Sequence, residues 1–242
     1  RSVDGAVFAV SGATITGATS LTAGGLLSGN TVLSSFKGGA GADSLDVSNM
    51  TAAQLQAFTA GNLDGGSGGV DTLIVGNAAA TGLTGNVNNS GFDTLTISQL
   101  GGTVDFSKFG TGIGTVTLAN GLAFDQAANA TFNNLASGVT VALAGNHNGF
   151  NETFNSAGTG LTDSLSITHN AGGVGVLTTS GFETVTETVV TGGATTIAGI
   201  SASASPGANV TYNLVDNSAG SVAITAVNVG VGGTLNISGT GN

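Results

Sequence analysis

The sequence contains no cysteine and no tryptophan, one proline (Pro206) and one tyrosine (Tyr212). Without cysteine there is neither a disulfide staple nor a thiolate metal site. One proline, with glycines that keep no strict three-residue period, excludes a collagen-like triple helix. Basic residues are nearly missing. Arg1, Lys37 and Lys108 stand against 13 Asp and Glu, a net charge of -10. Such an acidic chain repels phosphate backbones, which argues against nucleic-acid binding. It is compatible with divalent cations, which can neutralise part of the charge. No apolar run approaches the ~20 residues of a membrane-spanning helix. The chain starts at Arg1 with neither Met nor a signal peptide, and so reads as a piece of a longer polypeptide.

What is present is glycine (43 residues) and small aliphatic side chains. Glycine-rich chains can be disordered, but apolar residues here reach 40%, enough for a core. Thr, Ser, Val, Ile and Leu alternate with period two in short runs, most of them ended by Gly or Asn. Examples are "DTLTIS" (93–98), "GTVTLANG" (114–121), "VTVALAG" (139–145), "DSLSITHN" (163–170) and "GTLNISG" (233–239). One stretch reads as helix, "NMTAAQLQAFTAGN" (49–62). Asn49 or Thr51 can cap it, Gly61 can end it, and Leu55 and Phe58 share a face with Ala52 at its edge.

Internal repetition is the strongest organisational signal. An acid, a hydroxyl residue and Leu or Val open five strands, at Asp43, Asp71, Asp93, Asp163 and Glu183. "SGFDTLTIS" begins at Ser90, and its near copy "SGFETVTET" at Ser180. Three regions follow: 1–64, with N-terminal strands, a glycine turn and the helical insertion near 49–60; 65–156, a first repeat copy; and 157–242, a second. A unit of about 90 residues exceeds one solenoid coil, so each copy holds several coils. The expected fold is all-β, a parallel β-helix or β-roll-like solenoid. Leu73, Val75, Leu95 and Ile97 line its core, and Thr and Ser face out or form hydroxyl ladders. A pair of immunoglobulin-like sandwiches is the rival, but it usually offers a buried Trp or a tyrosine corner.

Residues 38–46, "GGAGADSLD", fit the calcium nonapeptide G-G-x-G-x-D-x-U-x at every specified position. Glycine permits φ > 0, which turns carbonyl oxygens toward one centre, and the aspartate adds a charged oxygen. Calcium takes roughly six to eight oxygen ligands, more than one turn supplies, so two stacked turns normally share an ion. A second, imperfect turn runs from Leu63 to Leu73, with one residue too many before Asp71. The expected site is one Ca2+ held by Asp43 and Asp71 with the carbonyls of Gly38, Ala40, Gly41, Gly65 and Ser67. The bland alternative is a pair of glycine turns with Asp in Asx-turns. Asp93, Asp163 and Glu183 lack the Gly-Gly-x-Gly, and the structural reading is favoured for them. "SAGTGLTDSL" (156–165) is nonetheless a degenerate relative that could hold an ion.

Catalytic patterns fail. "GGSGG" (65–69) matches G-x-S-x-G formally, but strand rather than helix follows and no His partner accompanies Ser67. Gly38 to Asp43 lacks the Lys-[Ser/Thr] ending of a phosphate loop. Asp163 and Glu183 suggest a glycosidase pair, without aromatics to stack sugars. His147 and His169 read as histidines of surface turns, since no further zinc ligand adjoins them. Phe106, Phe109, Phe124, Phe132, Phe150 and Phe154 recur near turns and read as plugs of the core. The chain is expected not to be an enzyme.

The Gly-Gly-Ala-Gly-Ala-Asp turn, the Gly-Phe-[Asp/Glu]-Thr strand starts and the Ala/Gly/Thr/Ser/Val bias resemble calcium-binding RTX proteins. Within that family the similarity is greatest to surface-layer proteins of Gram-negative bacteria of the Caulobacter type. The nonapeptide covers under a tenth of the chain; there is no run of consecutive nonapeptides and no recognisable C-terminal secretion signal. The resemblance implies type I secretion, calcium-dependent folding at the cell surface and a lattice with copies of itself through calcium-bridged contacts. A cell-surface polysaccharide would be met through regions outside this chain. An adhesin or biofilm-matrix stalk, or a non-catalytic segment of a secreted RTX enzyme, are the alternatives.

Overall fold

The computed structural model describes residues 7–11, 20–22, 32–98, 101–120, 128–145, 147 and 149–240. The fold is the expected one: nearly all parallel β, a solenoid of about eight turns, with two short α-helices among the described residues. Up to Thr211–Asp216, strands that follow one another in sequence alternate between sheets, and every described pairing is parallel. Two compact units are distinguished, residues 1–98 with 107–116 and residues 99–106 with 117–242.

In the first unit, strands Ser20–Thr22, Ser44–Asp46, Thr72–Gly76 and Thr94–Ser98 lie side by side in one sheet. Strands Val7–Ser11, Val32–Lys37, Leu63–Asp64 and Asn89–Ser90 form another. Period-two alternation sends Leu45, Leu73, Val75, Leu95 and Ile97 inward, all fully buried. Phe36 and Phe92 stack at 6.3 Å between centroids. The expected helix forms over Ala52–Gln56, shorter than 49–60, and is capped by Thr51 in a capping box with Gln54. It ends at Ala57 rather than Gly61. Leu55 and Phe58 are buried, as the spacing requires. A second helix, Asn77–Thr81, escaped the sequence reading. Three alanines supply its propensity, but it is one turn long and Gly76 gives its start no side-chain cap.

In the second unit, strands Val139–Gly145, Ser164–Ala171, Thr184–Val189, Thr211–Asp216 and Thr234–Gly239 run in register. The opposing sheet is built from Gly102–Asp105, Ala130–Leu135, Glu152–Ser156, Val174–Ser180 and Thr195–Ser203. Phe132 and Phe154 stack at 5.4 Å, and half-buried Phe106 tilts against Phe132 at 6.0 Å. Phe109 is buried, Phe150 only half so, and Phe124 lies outside the described residues. Outward columns carry Thr, Ser and Asn. Asn155 Nδ2 donates to Asn133 Oδ1 at 2.7 Å, and Asn236 Nδ2 to Asn213 Oδ1 at 2.8 Å. These ladders satisfy side chains that the flat strands bring within 5 Å of each other.

The two histidines correct the sequence reading. His147 and His169 are not in surface turns; both are 0% exposed. His147 Nδ1 contacts Glu152 Oε1, and His169 Nδ1 lies 2.9 Å from Glu187 Oε1. Tyr212 donates its hydroxyl to Glu187 Oε2 at 2.6 Å. Burying a His or a carboxylate requires such partners, because desolvation of an unpaired charge is costly.

Candidate metal centre

Strand register puts the acids that open strands into one column. Ser44 pairs with Thr72 and Thr72 with Thr94, so Asp43, Asp71 and Asp93 start successive strands. Asp43 N–H donates to Asp71 Oδ1 at 2.7 Å, and Asp71 N–H to Asp93 Oδ2 at 2.9 Å. The carboxylates of Asp71 and Asp93 therefore each cap the backbone of the coil before them. Asp43 and Asp71 are buried and Asp93 is exposed. Asp43 Oδ2 also accepts from Gly39 N–H at 2.6 Å within its own bend.

The two glycine-rich bends lie against each other. Gly38 N–H donates to Asp64 O at 2.9 Å, and Ser67 N–H to Gly39 O at 2.9 Å. A Cβ on Gly38 would collide with Gly65 O and stand 2.5 Å from Asp43 Oδ2. Two expected ligand oxygens thus meet at the space that Gly38 leaves open. At the tips, a Cβ on Gly69 would come 2.6 Å from the Gly41 carbonyl carbon, and one on Gly68 3.0 Å from Ala40 O. Gly38 of the first bend and Gly66, Gly68 and Gly69 of the second serve this close approach. Positive φ, expected for both bends, occurs only in the second, at Gly66 (107°), Gly68 (97°) and Gly69 (82°). The register of the coils, not a left-handed turn, shapes residues 38–43.

Among the described backbone bonds outside the strands, the carbonyls of Gly38, Ala40, Gly41, Gly65 and Ser67 accept none. The structure thus brings together Gly38, Gly65, Asp43 and Asp71, with Ala40, Gly41 and Ser67 toward the bend tips. Ser67 is exposed and leads to strand, not to a helix. The electrostatics are those of crowded anions. Burial raises the Asp71 pKa; the Asp43 N–H opposes this, while the charges of Asp43, Asp93 and Asp64 raise it further. The donor set is all hard oxygen, which suits calcium. Among the described residues no three Asp, Glu or His side chains converge, so a cation would draw most of its ligands from the main chain.

The near copy repeats the geometry in the second unit. Asp163 N–H donates to Glu183 Oε2 at 2.7 Å, as Asp71 N–H does to Asp93. Glu183 Oε1 accepts from Ser205 N–H at 2.9 Å. Burial pushes the Glu183 pKa up, but the Ser205 and Asp163 amides outweigh it and hold it below the ordinary value. Gly91 (φ 67°) and Gly181 (φ 76°) make the same turn, which drops Phe92 and Phe182 into the core. In these Gly-Phe-acid strand starts Asp93 and Glu183 each accept an N–H from the coil before.

Sequence reasoning missed the interior Glu152 and Glu187. The signal was there: Val185, Glu187 and Val189 share one parity, as do Leu165, Ile167 and His169. Comparison with protein-family models, with curated proteins and with solved structures finds no match.

Proposed function

We propose that this chain is a structural module of a calcium-dependent extracellular surface layer, not an enzyme. The observation that carries the reading is the stack of two glycine-rich bends. It sets Asp43 and Asp71 in one column, with five carbonyls that take no described backbone bond outside the strands. Ca2+ there would be held by both carboxylates with the carbonyls of Gly38, Ala40, Gly41, Gly65 and Ser67. When bound, the ion supplies positive charge among repelling acids and ties neighbouring coils together. Secretion and lattice assembly at the surface of a Gram-negative cell rest on the resemblance to RTX-type surface-layer proteins. The repetitive, weakly charged solenoid is compatible with that role.

Assembly tests the reading. Purified chain given millimolar Ca2+ should form ordered two-dimensional sheets under the electron microscope, and a chelator should disperse them. Monomers with and without Ca2+ would contradict the lattice and leave a stalk or spacer as the better description.

A further inference from the structure

One sheet of the second unit carries, on its outward side, a grid of hydroxyls that the calcium reading does not use. Strands Ser164–Ala171, Thr184–Val189, Thr211–Asp216 and Thr234–Gly239 pair in parallel with no register shift. Ser164, Thr184, Thr211 and Thr234 therefore form one column across them. Two more columns lie two and four residues further along each strand. All four residues of the first column, two of the second and three of the third are Thr or Ser. The others are Asn213, Asn236 and Val215, so no position is charged or aromatic. Every position is half-buried or exposed. Among the described hydrogen bonds only one hydroxyl of the grid is engaged: Thr186 Oγ1 accepts from Asn213 Nδ2 at 3.4 Å.

The fold sets the spacing of this grid. Neighbouring strands lie about 4.8 Å apart, and every second residue recurs about 6.6 Å along a strand. A hydroxyl donates and accepts hydrogen bonds, as water does. Threonine is stiff at χ1, which holds its hydroxyl in place. The face thus offers preset, water-like positions that repeat in two directions, and contact with a matching lattice costs little ordering. These repeats are close to those of the water oxygens on a prism face of hexagonal ice. Charged side chains would hold hydration shells that do not fit such a lattice, and the chain keeps its net charge of -10 off these positions. A neutral polysaccharide is the rival partner, but sugar rings stack on aromatic side chains, and the grid has none. The opposing sheet lacks the repeat: Asp105 pairs beside Asn133, and the register shifts between Phe132 and Leu135. We infer that the outward face of these four strands binds the surface of an ice crystal. The inference rests neither on calcium nor on lattice assembly.

Ice growth in the presence of the whole chain, folded in Ca2+ buffer, tests this. The parent should hold the freezing point of a seed crystal below its melting point, and the fluorescently labelled chain should coat the prism faces. Ser166→Lys and Thr184→Lys, each within the grid, should cut that freezing gap several-fold with unchanged circular dichroism. Thr153→Lys, on the outward side of the opposing sheet, should leave it as in the parent. If a grid variant fails to fold, the coating of ice by the labelled parent decides. A folded parent that neither opens the gap nor coats ice, or equal losses from Thr153→Lys and Ser166→Lys, would overturn the proposal. Retention on microcrystalline cellulose without an effect on ice would overturn it too, and assign the face to a polysaccharide.

Discussion

At the residue scale, the least expected feature is polar chemistry inside an aliphatic stack. His169, Glu187 and Tyr212 come from three neighbouring strands and join in one buried chain of hydrogen bonds. Burial, with the Glu187 charge and hydrogen bond beside it, pushes the Tyr212 hydroxyl pKa well above the ordinary value of 10.0. An acid whose pKa is raised by folding binds its proton more tightly in the native state. Stability is therefore full below the unfolded value and lost as pH rises beyond it. Because Tyr212 is the sole tyrosine, the tyrosinate absorbance band reports it alone. Tyrosinate should stay absent through pH 10 and appear only together with loss of the β-sheet circular dichroism. Reversible ionisation near pH 10 with unchanged dichroism would contradict the buried bond.

At the element scale, the strands were legible and the bends only partly so. Alternation marks inward and outward residues wherever a parallel strand has one face on a core, so Leu73, Val75, Leu95 and Ile97 were placed correctly. The same parity points Glu187 and His169 inward, although both are polar. The helix at Ala52–Gln56 was visible through its cap and apolar spacing, although its end depends on packing that the sequence does not display. The glycines were seen as permissive for φ, yet at Gly38 the determinant is the neighbouring coil. Gly66 combines both demands, with φ 107° and a Cβ that would strike Gly39 O. Gly66→Ala should cost about 2–5 kcal/mol by chemical denaturation, from left-handed strain and overpacking together. Gly193→Ala, where φ is not positive and nothing lies within 4 Å, should stay within about 0.5 kcal/mol of the parent. Equal effects at the two positions would contradict the stacked-bend geometry.

At the scale of the whole molecule, an acidic chain with three basic residues stacks carboxylates in columns. The Asp43 N–H bond offsets part of this, but burial, and after it the charges of Asp43, Asp93 and Asp64, hold the Asp71 pKa above the ordinary value. Without metal, Asp71 keeps its proton more tightly folded than unfolded, so stability falls as pH rises through its raised value. A cation that binds the ionised pair acts in the opposite sense. The most direct measurement is the melting temperature at neutral pH, with a chelator and with saturating Ca2+, for the parent and for Asp71→Asn. At a hundredfold excess over Kd the ion contributes about 2.7 kcal/mol, a rise of roughly 5–10 °C for a chain of this size. The account predicts that rise in the parent and most of it lost in the variant. The same melting temperature with chelator and with Ca2+ in the parent would contradict it.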